Sequence, residues 1–318
     1  MSILVTGAGL IGSLTAKLLL ARQDKVVLID TVKPDTVQEG AIFEICDVSD
    51  ISSLNEIICR HKVKKIIHTA AMLSTGIRRD PLSGINVNIM GTTNILELAR
   101  RLGLQRLVCA SSTTVAYNTF GEHENVSVLE DVPLKLISQR PASIYAATKL
   151  AGEHLALLYR DLYGVDVVSL RYGAVLGGSN ENPTSIPGKL LAKLISTART
   201  GSKIVLDDPL LLWGGREEFI DARDCAIANI CALDATAPKL GVYNVANGHW
   251  FTLEEFVNTV TQFFPGLEVE LPDNIITGFA GFSHKRPAPS CTKATENEIN
   301  FKAAYSLKET IEHSISIS

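Results

Sequence analysis

The first thirty residues constrain the fold of this chain more than any other stretch. A short apolar run at residues 2–6 leads into a glycine-rich turn at residues 7–12, which reads GAGLIG. A helical pattern of leucines follows, and a second apolar run at residues 26–29 ends on Asp30. A strand, a glycine turn, a helix and a strand with a terminal acid form the dinucleotide-binding fingerprint. The alternative is a glycine turn in an unrelated α/β protein.

Each glycine of the turn has its own predicted role. Gly7 allows the chain to turn tightly, and Gly12 allows the helix to pack closely on the strand. Gly9 allows the backbone N–H groups of the turn, including those of Leu10 and Ile11, to approach a pyrophosphate. We therefore predict that these five residues bind the cofactor at the N-terminus of the helix.

Asp30 bears on the choice of cofactor. An acid at the end of the second strand is placed to accept a hydrogen bond from a ribose hydroxyl, and it would repel a 2′-phosphate. No arginine follows closely, and Lys33 is the nearest cation. The sequence therefore favours NAD, with NADP as the less favoured alternative.

The composition excludes several classes of protein. The chain has 318 residues, of which 46% are hydrophobic, and this is ample for a large core. A formal net charge of −4 gives no footprint for nucleic acid or an anionic membrane, and no apolar run is long enough to span a bilayer. The six cysteines and seven histidines are scattered, so we expect no metal site. Because Met1 leads directly into a strand, we expect a cytoplasmic protein without a signal peptide.

Strand and helix patterns alternate through the first half of the chain. Further strands are predicted at residues 41–46, 65–68, 106–110 and 165–170, and helices at residues 51–60, 85–102 and 143–163. This alternation predicts a parallel sheet covered on both faces by helices. The fold class is therefore α/β, with a Rossmann-type doubly wound parallel sheet.

The pattern changes after residue 171 and becomes richer in loops. Strands are predicted at residues 204–206, 218–220 and 242–245, and helices up to residue 198, at 222–233 and 253–264, and from Ser306. Residues 177–187 and 265–289 are predicted to be mostly irregular. We predict an NAD-binding Rossmann domain at residues 1–171 and a smaller C-terminal α/β substrate-binding lobe at residues 172–318. Some strands and helices of this lobe should return to the Rossmann core.

Tyr145 and Lys149 lie four residues apart, on one face of the predicted helix at residues 143–163. A phenol with a pKa near 10 is a poor base at neutral pH, but a nearby ammonium favours the phenolate and makes proton transfer practical. The same spacing alone is common on solvated helix faces. Here it follows a cluster of hydroxyl residues in a chain that already contains a nucleotide turn, which favours a catalytic pair.

Taken together and in order, the motifs resemble those of the extended short-chain dehydrogenase/reductase family, in its NAD-dependent epimerase/dehydratase group of sugar-nucleotide enzymes. The matches run nearly from end to end. They are the glycine turn, Asp47-Val48, His68-Thr69-Ala70-Ala71, residues 88–92 (NIMGT), Ser111-Ser112-Thr113, the Tyr145/Lys149 pair, residues 170–173 (LRYG), residues 216–221, residues 243–246 (YNVA) and Arg286-Pro287.

The resemblance implies a set of catalytic and cofactor-binding roles. Tyr145 would be the general acid/base, Lys149 would hold the nicotinamide ribose and lower the pKa of Tyr145, and Thr113 would hydrogen-bond the reacting oxygen. The remaining implied cofactor residues are Asp30 at the adenosine ribose, Asp47 and Val48 at the adenine, Ala70 and Ala71 at the cofactor face, and Asn88 in a structural role beside the cofactor.

The implied substrate-binding residues are Ser112, Thr113, Arg216 and Arg286. The two arginines match positions at which such enzymes grip a nucleotide diphosphate. The alternative for each arginine is a surface ion pair.

Three departures from the family pattern concern the cofactor turn and the substrate. The first turn is shorter than the usual G-x-x-G-x-x-G, and the usual V-Y-G reads Val115-Ala116-Tyr117-Asn118. Dehydratases and decarboxylases carry an acid after the hydroxyl residue, and Thr114 and Val115 stand there. This substitution argues against those reactions.

The resulting hypothesis is an NAD-dependent oxidoreductase or epimerase that acts at a secondary alcohol carbon of a sugar or nucleotide sugar. One alternative is an NAD(P)-dependent dehydrogenase or reductase of a small non-nucleotide hydroxy or keto compound. An alternative of another class is a non-catalytic NAD(P)-binding sensor. By resemblance, the helices predicted at residues 85–102 and 143–163 would also form a homodimer through a four-helix bundle.

Overall fold

The computed structural model of the protein describes residues 1–122, 127–178, 183, 185–201 and 203–317. The strands in chain order are β1 Ser2–Thr6, β2 Lys25–Asp30, β3 Ile42–Ile45, β4 Lys65–His68, β5 Arg106–Ser112, β6 Val167–Tyr172, β7 Ala174–Leu176, β8 Lys203–Val205, β9 Glu217–Asp221, β10 Val242–Val245, β11 Trp250–Phe251 and β12 Glu268–Glu270.

The central sheet has seven strands in the order β10-β6-β5-β4-β1-β2-β3, and every neighbouring pair is parallel. The strand order reverses direction at β1, which is the arrangement of a doubly wound Rossmann sheet. The predicted fold class is confirmed. Smaller sheets in the order β11-β9-β7 and β12-β8 stand beside the central one.

The helices surround the sheet and are, in chain order, α1 Leu10–Ala21, α2 Ile51–Arg60, α3 Ser74–Arg79, α4 Pro81–Ile85, α5 Thr92–Leu102, α6 Ile144–Tyr163, α7 Ile186–Thr200, α8 Ala222–Asp234, α9 Leu253–Thr261, α10 Lys293–Ile299 and α11 Leu307–Ser316. A π-helical turn, Asn86–Gly91, joins α4 to α5, and 3₁₀ segments occupy Thr113–Glu122 and Phe279–Gly281. Within the described ranges, no helix has the length and apolar character that crossing a membrane requires.

Alternate side chains of the central strands enter different cores, because successive residues of a strand point to opposite faces. On β1, Ile3 and Val5 enter the core on one face of the sheet, and Leu4 enters the core on the other. A third core lies mainly within the C-terminal part and includes Trp213 and Phe256. The division at residue 171 stays a prediction, and β10 from beyond it lies in the central sheet.

The structure corrects the predicted helix at residues 85–102, which is divided into α4, the π turn and α5. A π turn inserts one residue into the helical repeat, and a single insertion is too local to be recognised in the apolar pattern of the whole segment. Helices α3 and α10 were not predicted, because each is too short to show a full amphipathic pattern. The helix predicted to reach residue 264 ends at Thr261. Part of the predicted loop at residues 177–187 lies outside the described residues.

Candidate active site

The glycine turn lies between β1 and α1, and its glycines are needed for three different reasons. Gly7 has a φ of +86°, and a Cβ there would lie 2.7 Å from the Ala70 nitrogen. A Cβ on Gly12 would lie 1.8 Å from the Gly7 carbonyl oxygen, so the start of α1 packs directly against the turn. A Cβ on Gly9 would meet no protein atom within 4 Å, so Gly9 faces open space.

The open space beside Gly9 lies at the N-terminus of α1. Gly9 is the N-cap residue and provides no side chain to the first turn, which begins at Leu10. Backbone N–H groups at such a terminus, together with the helix dipole, favour an anion. The space and the donors together fit a pyrophosphate, the group for which the turn was predicted.

Asp30 at the end of β2 supports the same turn. Its Oδ2 accepts a hydrogen bond of 2.7 Å from the Ala8 nitrogen, and its Oδ1 accepts one of 2.7 Å from the Thr31 nitrogen. The carboxylate remains only partly buried. Asp30 therefore fixes the turn and keeps an acid at the strand end, where a 2′-phosphate would be repelled.

Asp47 and Val48 follow β3, at the same carboxyl edge of the sheet as the glycine turn and Asp30. Asp47 Oδ1 accepts hydrogen bonds of 2.8 Å from both the backbone nitrogen and the hydroxyl of Ser49. Val48 is buried, and its Cγ2 would lie 2.6 Å from a Cβ on Gly91, so it packs against the π turn. The predicted adenine contacts of this pair stay a prediction.

Asn88 connects the segment after β4 to the catalytic helix. The Asn88 Oδ1 accepts from the Met72 nitrogen at 2.8 Å, and Nδ2 donates to the Met72 carbonyl at 3.0 Å. Nδ2 also donates to Thr148 Oγ1 at 3.0 Å, on α6. This side chain therefore clamps the chain immediately after Ala70 and Ala71, in agreement with the structural role predicted for it.

Tyr145 and Lys149 occupy the first two turns of α6. The helix starts after Ser143, whose hydroxyl accepts from the Ala146 nitrogen and so caps it. Lys149 Nζ donates to the Ala110 carbonyl at 2.9 Å and lies 5.8 Å from the centre of the Tyr145 ring. Both side chains are partly exposed. The pair therefore lies over the end of β5 and is accessible from outside.

The electrostatics of the pair differ from the expectation. Burial raises the pKa of Tyr145 to about 12, although its hydrogen bond with Ser112 acts in the opposite direction. Burial also lowers the pKa of Lys149 to about 8. The phenol therefore keeps its proton at neutral pH, which suits a proton donor. The predicted lowering of the Tyr145 pKa would need a further positive charge or donor at the phenolic oxygen.

Ser112 lies near the Tyr145 hydroxyl and acts to lower its pKa. The Ser112 hydroxyl oxygen also accepts from the Thr114 nitrogen at 3.3 Å and from its hydroxyl at 3.0 Å. Thr113 is buried and lies near Tyr117. Strand β5 ends at Ser112, and a 3₁₀ segment begins at Thr113. The predicted contact of Thr113 with the reacting oxygen stays a prediction, as does the predicted substrate contact of Ser112.

Glu153 is a buried residue of the site that the sequence analysis missed. It lies one turn beyond Lys149 on α6 and is 2% exposed. Glu153 accepts two hydrogen bonds from Arg171, of 2.9 and 2.7 Å, and one of 2.5 Å from the Ser111 hydroxyl. This buried ion pair joins β5, β6 and α6 beneath the catalytic pair. The sequence feature that could have identified Glu153 is its spacing of four residues from Lys149, which places both on one face of the helix.

Arg286 does not reach an open surface. Its side chain is fully buried, and its Nε donates to Glu217 at 2.6 Å while its Nη1 donates to Glu218 at 3.2 Å. The guanidinium also lies 5.6 Å from the Tyr117 ring centre and 5.0 Å from that of Phe120. The structure thus gives this arginine two carboxylate partners where the sequence predicted a substrate diphosphate.

Arg216 lies apart from the catalytic pair. It makes a bidentate ion pair with Glu255, with distances of 3.0 and 2.8 Å, and also donates to the Trp250 carbonyl. It lines an open groove of about 570 Å³ together with His249 and other residues of the C-terminal part. Neither Tyr145 nor Lys149 lines that groove. Among the described residues there is also no cluster of side chains able to hold a metal ion.

Comparison with known proteins agrees with this geometry. A model of the NAD dependent epimerase/dehydratase family matches residues 3–246. The chain belongs to the NAD-dependent epimerase/dehydratase family. It is therefore an enzyme of the extended short-chain dehydrogenase/reductase type with NAD as its cofactor.

The chain is similar to proteins with two different activities. A UDP-glucose 4-epimerase of Lacticaseibacillus casei is 30% identical over 271 residues, covering 80% of this chain and 79% of the relative. The mitochondrial L-threonine 3-dehydrogenase of Bos taurus is 28% identical over 276 residues, covering 84% of this chain and 69% of the relative. The structure of a Thermus thermophilus UDP-glucose 4-epimerase with NAD superposes with a TM-score of 0.79 at 28% identity, covering 100% and 98% of the two chains.

The residues present fit NAD. The free space beside Gly9 and the uncapped N-terminus of α1 suit the pyrophosphate, and Asp30 suits an adenosine ribose without a 2′-phosphate. Tyr145 and Lys149, on α6, lie near the carboxyl end of β5. Strands β5 and β1 belong to the same parallel sheet. In open α/β sheets, ligands bind outside the carboxyl ends of the strands.

Proposed function

We propose that this protein is an NAD-dependent oxidoreductase that acts at a secondary alcohol carbon of a small polar compound. The position of Lys149 is the observation that carries this proposal: its Nζ lies 5.8 Å from the centre of the Tyr145 ring, one turn along α6, and donates to the Ala110 carbonyl. Bound NAD supplies the acceptor or donor of hydride. In ketone reduction the Tyr145 phenol donates its proton to the reacting oxygen. In alcohol oxidation Tyr145 must first release that proton to solvent, and the resulting phenolate then takes the proton of the alcohol.

Ser112 donates a hydrogen bond to the reacting oxygen in this proposal. Its hydroxyl oxygen already accepts from Thr114, so its single proton is available to an oxygen of the substrate or of Tyr145. A donor aimed at that oxygen stabilises the charge that develops there during the reaction. Lys149 adds positive charge beside Tyr145 and holds the nicotinamide ribose.

A dehydration or decarboxylation is disfavoured by the chain itself. Thr113, Thr114 and Val115 follow Ser112, so no carboxylate stands beside the predicted oxygen donor. A group able to abstract a second proton from carbon is therefore missing from this position. The chemistry supported by the side chains is oxidation or reduction of the alcohol carbon.

The arginines favour a substrate without a diphosphate. Arg286 is fully buried and already paired with Glu217 and Glu218. A guanidinium held in this way is not free to bind a diphosphate. We therefore propose a free sugar or another small hydroxy or keto compound as the substrate. The similarity to a mitochondrial L-threonine 3-dehydrogenase supports this proposal.

A second candidate is the epimerisation of a nucleotide sugar. It is favoured by the 30% identity with the Lacticaseibacillus casei UDP-glucose 4-epimerase and by Arg216, which is only partly buried beside an open groove. In that reaction the ketone stays bound and is reduced again on its other face. The two candidates therefore differ in whether reduced cofactor is released.

The experiment is a screen of the purified protein with NAD and a panel of free sugars, sugar acids, hydroxy amino acids and UDP-glucose. We expect stoichiometric, spectroscopically detected NADH with at least one member that lacks a nucleotide. Conversion of UDP-glucose to UDP-galactose without accumulating NADH would replace the first candidate by the second. Binding of NAD without conversion of any member of the panel would contradict both candidates.

We further propose that the enzyme acts as a homodimer in the cytoplasm. Apolar side chains on α4, the π turn and α6 are exposed in the single chain: Leu82, Met90, Leu158, Leu162 and Tyr163. An apolar surface of this kind is typical of an interface. All six cysteines are free thiols, as expected in a reducing compartment. Sedimentation as a monomer at micromolar concentration would contradict the dimer.

A further inference from the structure

A buried histidine lies at the centre of a chain of hydrogen bonds beside the active site. His68 is the last residue of β4 and is 3% exposed. Its Nδ1 lies 2.7 Å from Thr6 Oγ1, at the end of β1, and its Nε2 lies 3.1 Å from Thr92 Oγ1, at the start of α5. The ring therefore bridges two strand ends of the sheet and the helix that follows the π turn.

The direction of each hydrogen bond follows from counting protons. The Thr92 hydroxyl donates to the Asn88 carbonyl at 2.7 Å. A hydroxyl has one proton, so Thr92 can only accept at its contact with His68, and His68 Nε2 must carry hydrogen. A neutral imidazole has a single N–H, so Nδ1 accepts from the Thr6 hydroxyl. Thr6 in turn accepts from the Ala70 nitrogen at 3.3 Å.

His68 is neutral in this environment. Burial lowers its pKa to about 3, and the ammonium of Lys149 acts in the same direction. Cys109, which pairs with His68 across β4 and β5, is a protonated thiol, because burial raises its pKa to about 12. The hydrogen bonds and the lowered pKa therefore both favour the neutral His68 ring with its hydrogen on Nε2.

The far end of the chain reaches the catalytic helix. Asn88, whose carbonyl accepts from Thr92, holds Met72 through its side chain and donates to the Thr148 hydroxyl. The Thr148 hydroxyl donates to the Tyr145 carbonyl at 2.8 Å. A continuous set of directed bonds thus links Thr6 beside the glycine turn to the first turn of α6.

We propose that His68, as the neutral Nε2–H tautomer, is a positioning residue that holds the π turn Asn86–Gly91 against the ends of β1 and β4. It thereby fixes the segment at residues 70–72, which faces the cofactor, relative to Tyr145 on α6. The effect on cofactor binding follows from this arrangement alone, and the effect on turnover rests on the proposed function.

Thr92 and Thr93 provide a matched pair of variants. Each threonine donates its hydroxyl to the carbonyl four residues earlier, at 2.7 Å for Thr92 and 2.8 Å for Thr93. Only Thr92 contacts His68. Thr92→Val removes the acceptor for the His68 N–H, Thr92→Ser restores it, and Thr93→Val removes only the bond along the helix.

The measurement is the affinity of each full-length variant for NAD, by calorimetry. We expect Thr92→Val to weaken binding about tenfold, because a buried N–H loses its partner. Thr92→Ser and Thr93→Val should each stay within about twofold of the original protein. Equal weakening in Thr92→Val and Thr93→Val, or no rescue by Thr92→Ser, would overturn the proposal.

A spectroscopic measurement on the unaltered protein does not depend on any variant folding. Nitrogen-15 NMR of histidine-labelled protein, with His68→Gln used to assign the signal, reports which ring nitrogen carries hydrogen. We expect a protonated Nε2 and a bare Nδ1 at neutral pH. A protonated Nδ1 would refute the tautomer. Neither measurement uses a substrate, so failure of the proposed function would leave both results intact.

Discussion

The glycine turn and the two arginines were both assigned to binding by short motifs, and the structure places them very differently. At the turn, a Cβ on Gly12 would strike the Gly7 carbonyl, while Gly9 faces free space at the start of α1. The arginines instead make ion pairs within the protein, Arg216 with Glu255 and Arg286 with Glu217 and Glu218. The cofactor end of the site is open to a ligand, whereas Arg286 is occupied.

The difference comes from the sequence distance between each residue and the partners that determine its role. The glycines act through backbone geometry within one turn, where residues a few positions apart decide what fits. The role of Arg286 depends on Glu217, which lies 69 residues away in sequence. An arginine guanidinium without a partner can bind a diphosphate, whereas one surrounded by two carboxylates, such as Arg286, is part of a buried ion-pair network.

The largest expected effect lies at Tyr145, the proposed proton donor. Tyr145→Phe removes the proton donor and acceptor and should lower kcat by roughly 10²- to 10⁴-fold. NAD affinity should change little, because the ring remains. The measurement is steady-state turnover with the substrate found in the screen, together with calorimetric titration of NAD.

Tyr159→Phe is the matched control for that experiment. Tyr159 also lies on α6, but its hydroxyl bonds Glu97 at 3.3 Å, away from Ser112. Turnover of this variant should equal that of the original protein. Unchanged turnover in Tyr145→Phe would contradict the role proposed for this hydroxyl.

A smaller effect, on stability, should separate the two arginines. Arg286→Met leaves Glu217 and Glu218 buried without a counterion and should lower the free energy of unfolding by about 3–5 kcal/mol. Arg216→Met removes an ion pair whose side chains are 40% and 44% exposed, which is worth at most about 1 kcal/mol. Urea unfolding of the two variants compares them directly.

The same variants test whether either arginine binds a diphosphate. UDP should bind the original protein weakly or not at all, because Arg286 is neutralised. Tight binding of UDP that is lost in Arg216→Met would reverse the assignment of the substrate. It would also show that the ion pair with Glu255 opens to admit a ligand.

The sequence predicted the parts of the molecule that are set by local patterns. The parallel sheet of the Rossmann type, the turn at residues 7–12 and the helix carrying Tyr145 and Lys149 follow from apolar periodicity and glycine spacing. The contact of Ser112 with Tyr145 could not be predicted, because it depends on where β5 gives way to a 3₁₀ segment. The π turn and the partners of Arg286 likewise depend on tertiary packing that no periodicity encodes.

The smallest expected effect compares two glycines of the same turn. Gly12→Ala places a Cβ 1.8 Å from the Gly7 carbonyl oxygen and should destabilise the protein by about 1–3 kcal/mol, through the shift of backbone that it forces. Gly9→Ala meets no protein atom, and Gly9 has a φ of −71°, which alanine adopts readily. Its stability should therefore be unchanged, while its affinity for NAD should fall about tenfold, since the new methyl group occupies the space of the pyrophosphate. Thermal unfolding with and without NAD measures both quantities. If Gly9→Ala binds NAD as the original protein does, the phosphates lie elsewhere, and the shortened turn directs the cofactor along a different path from the one its glycines predict.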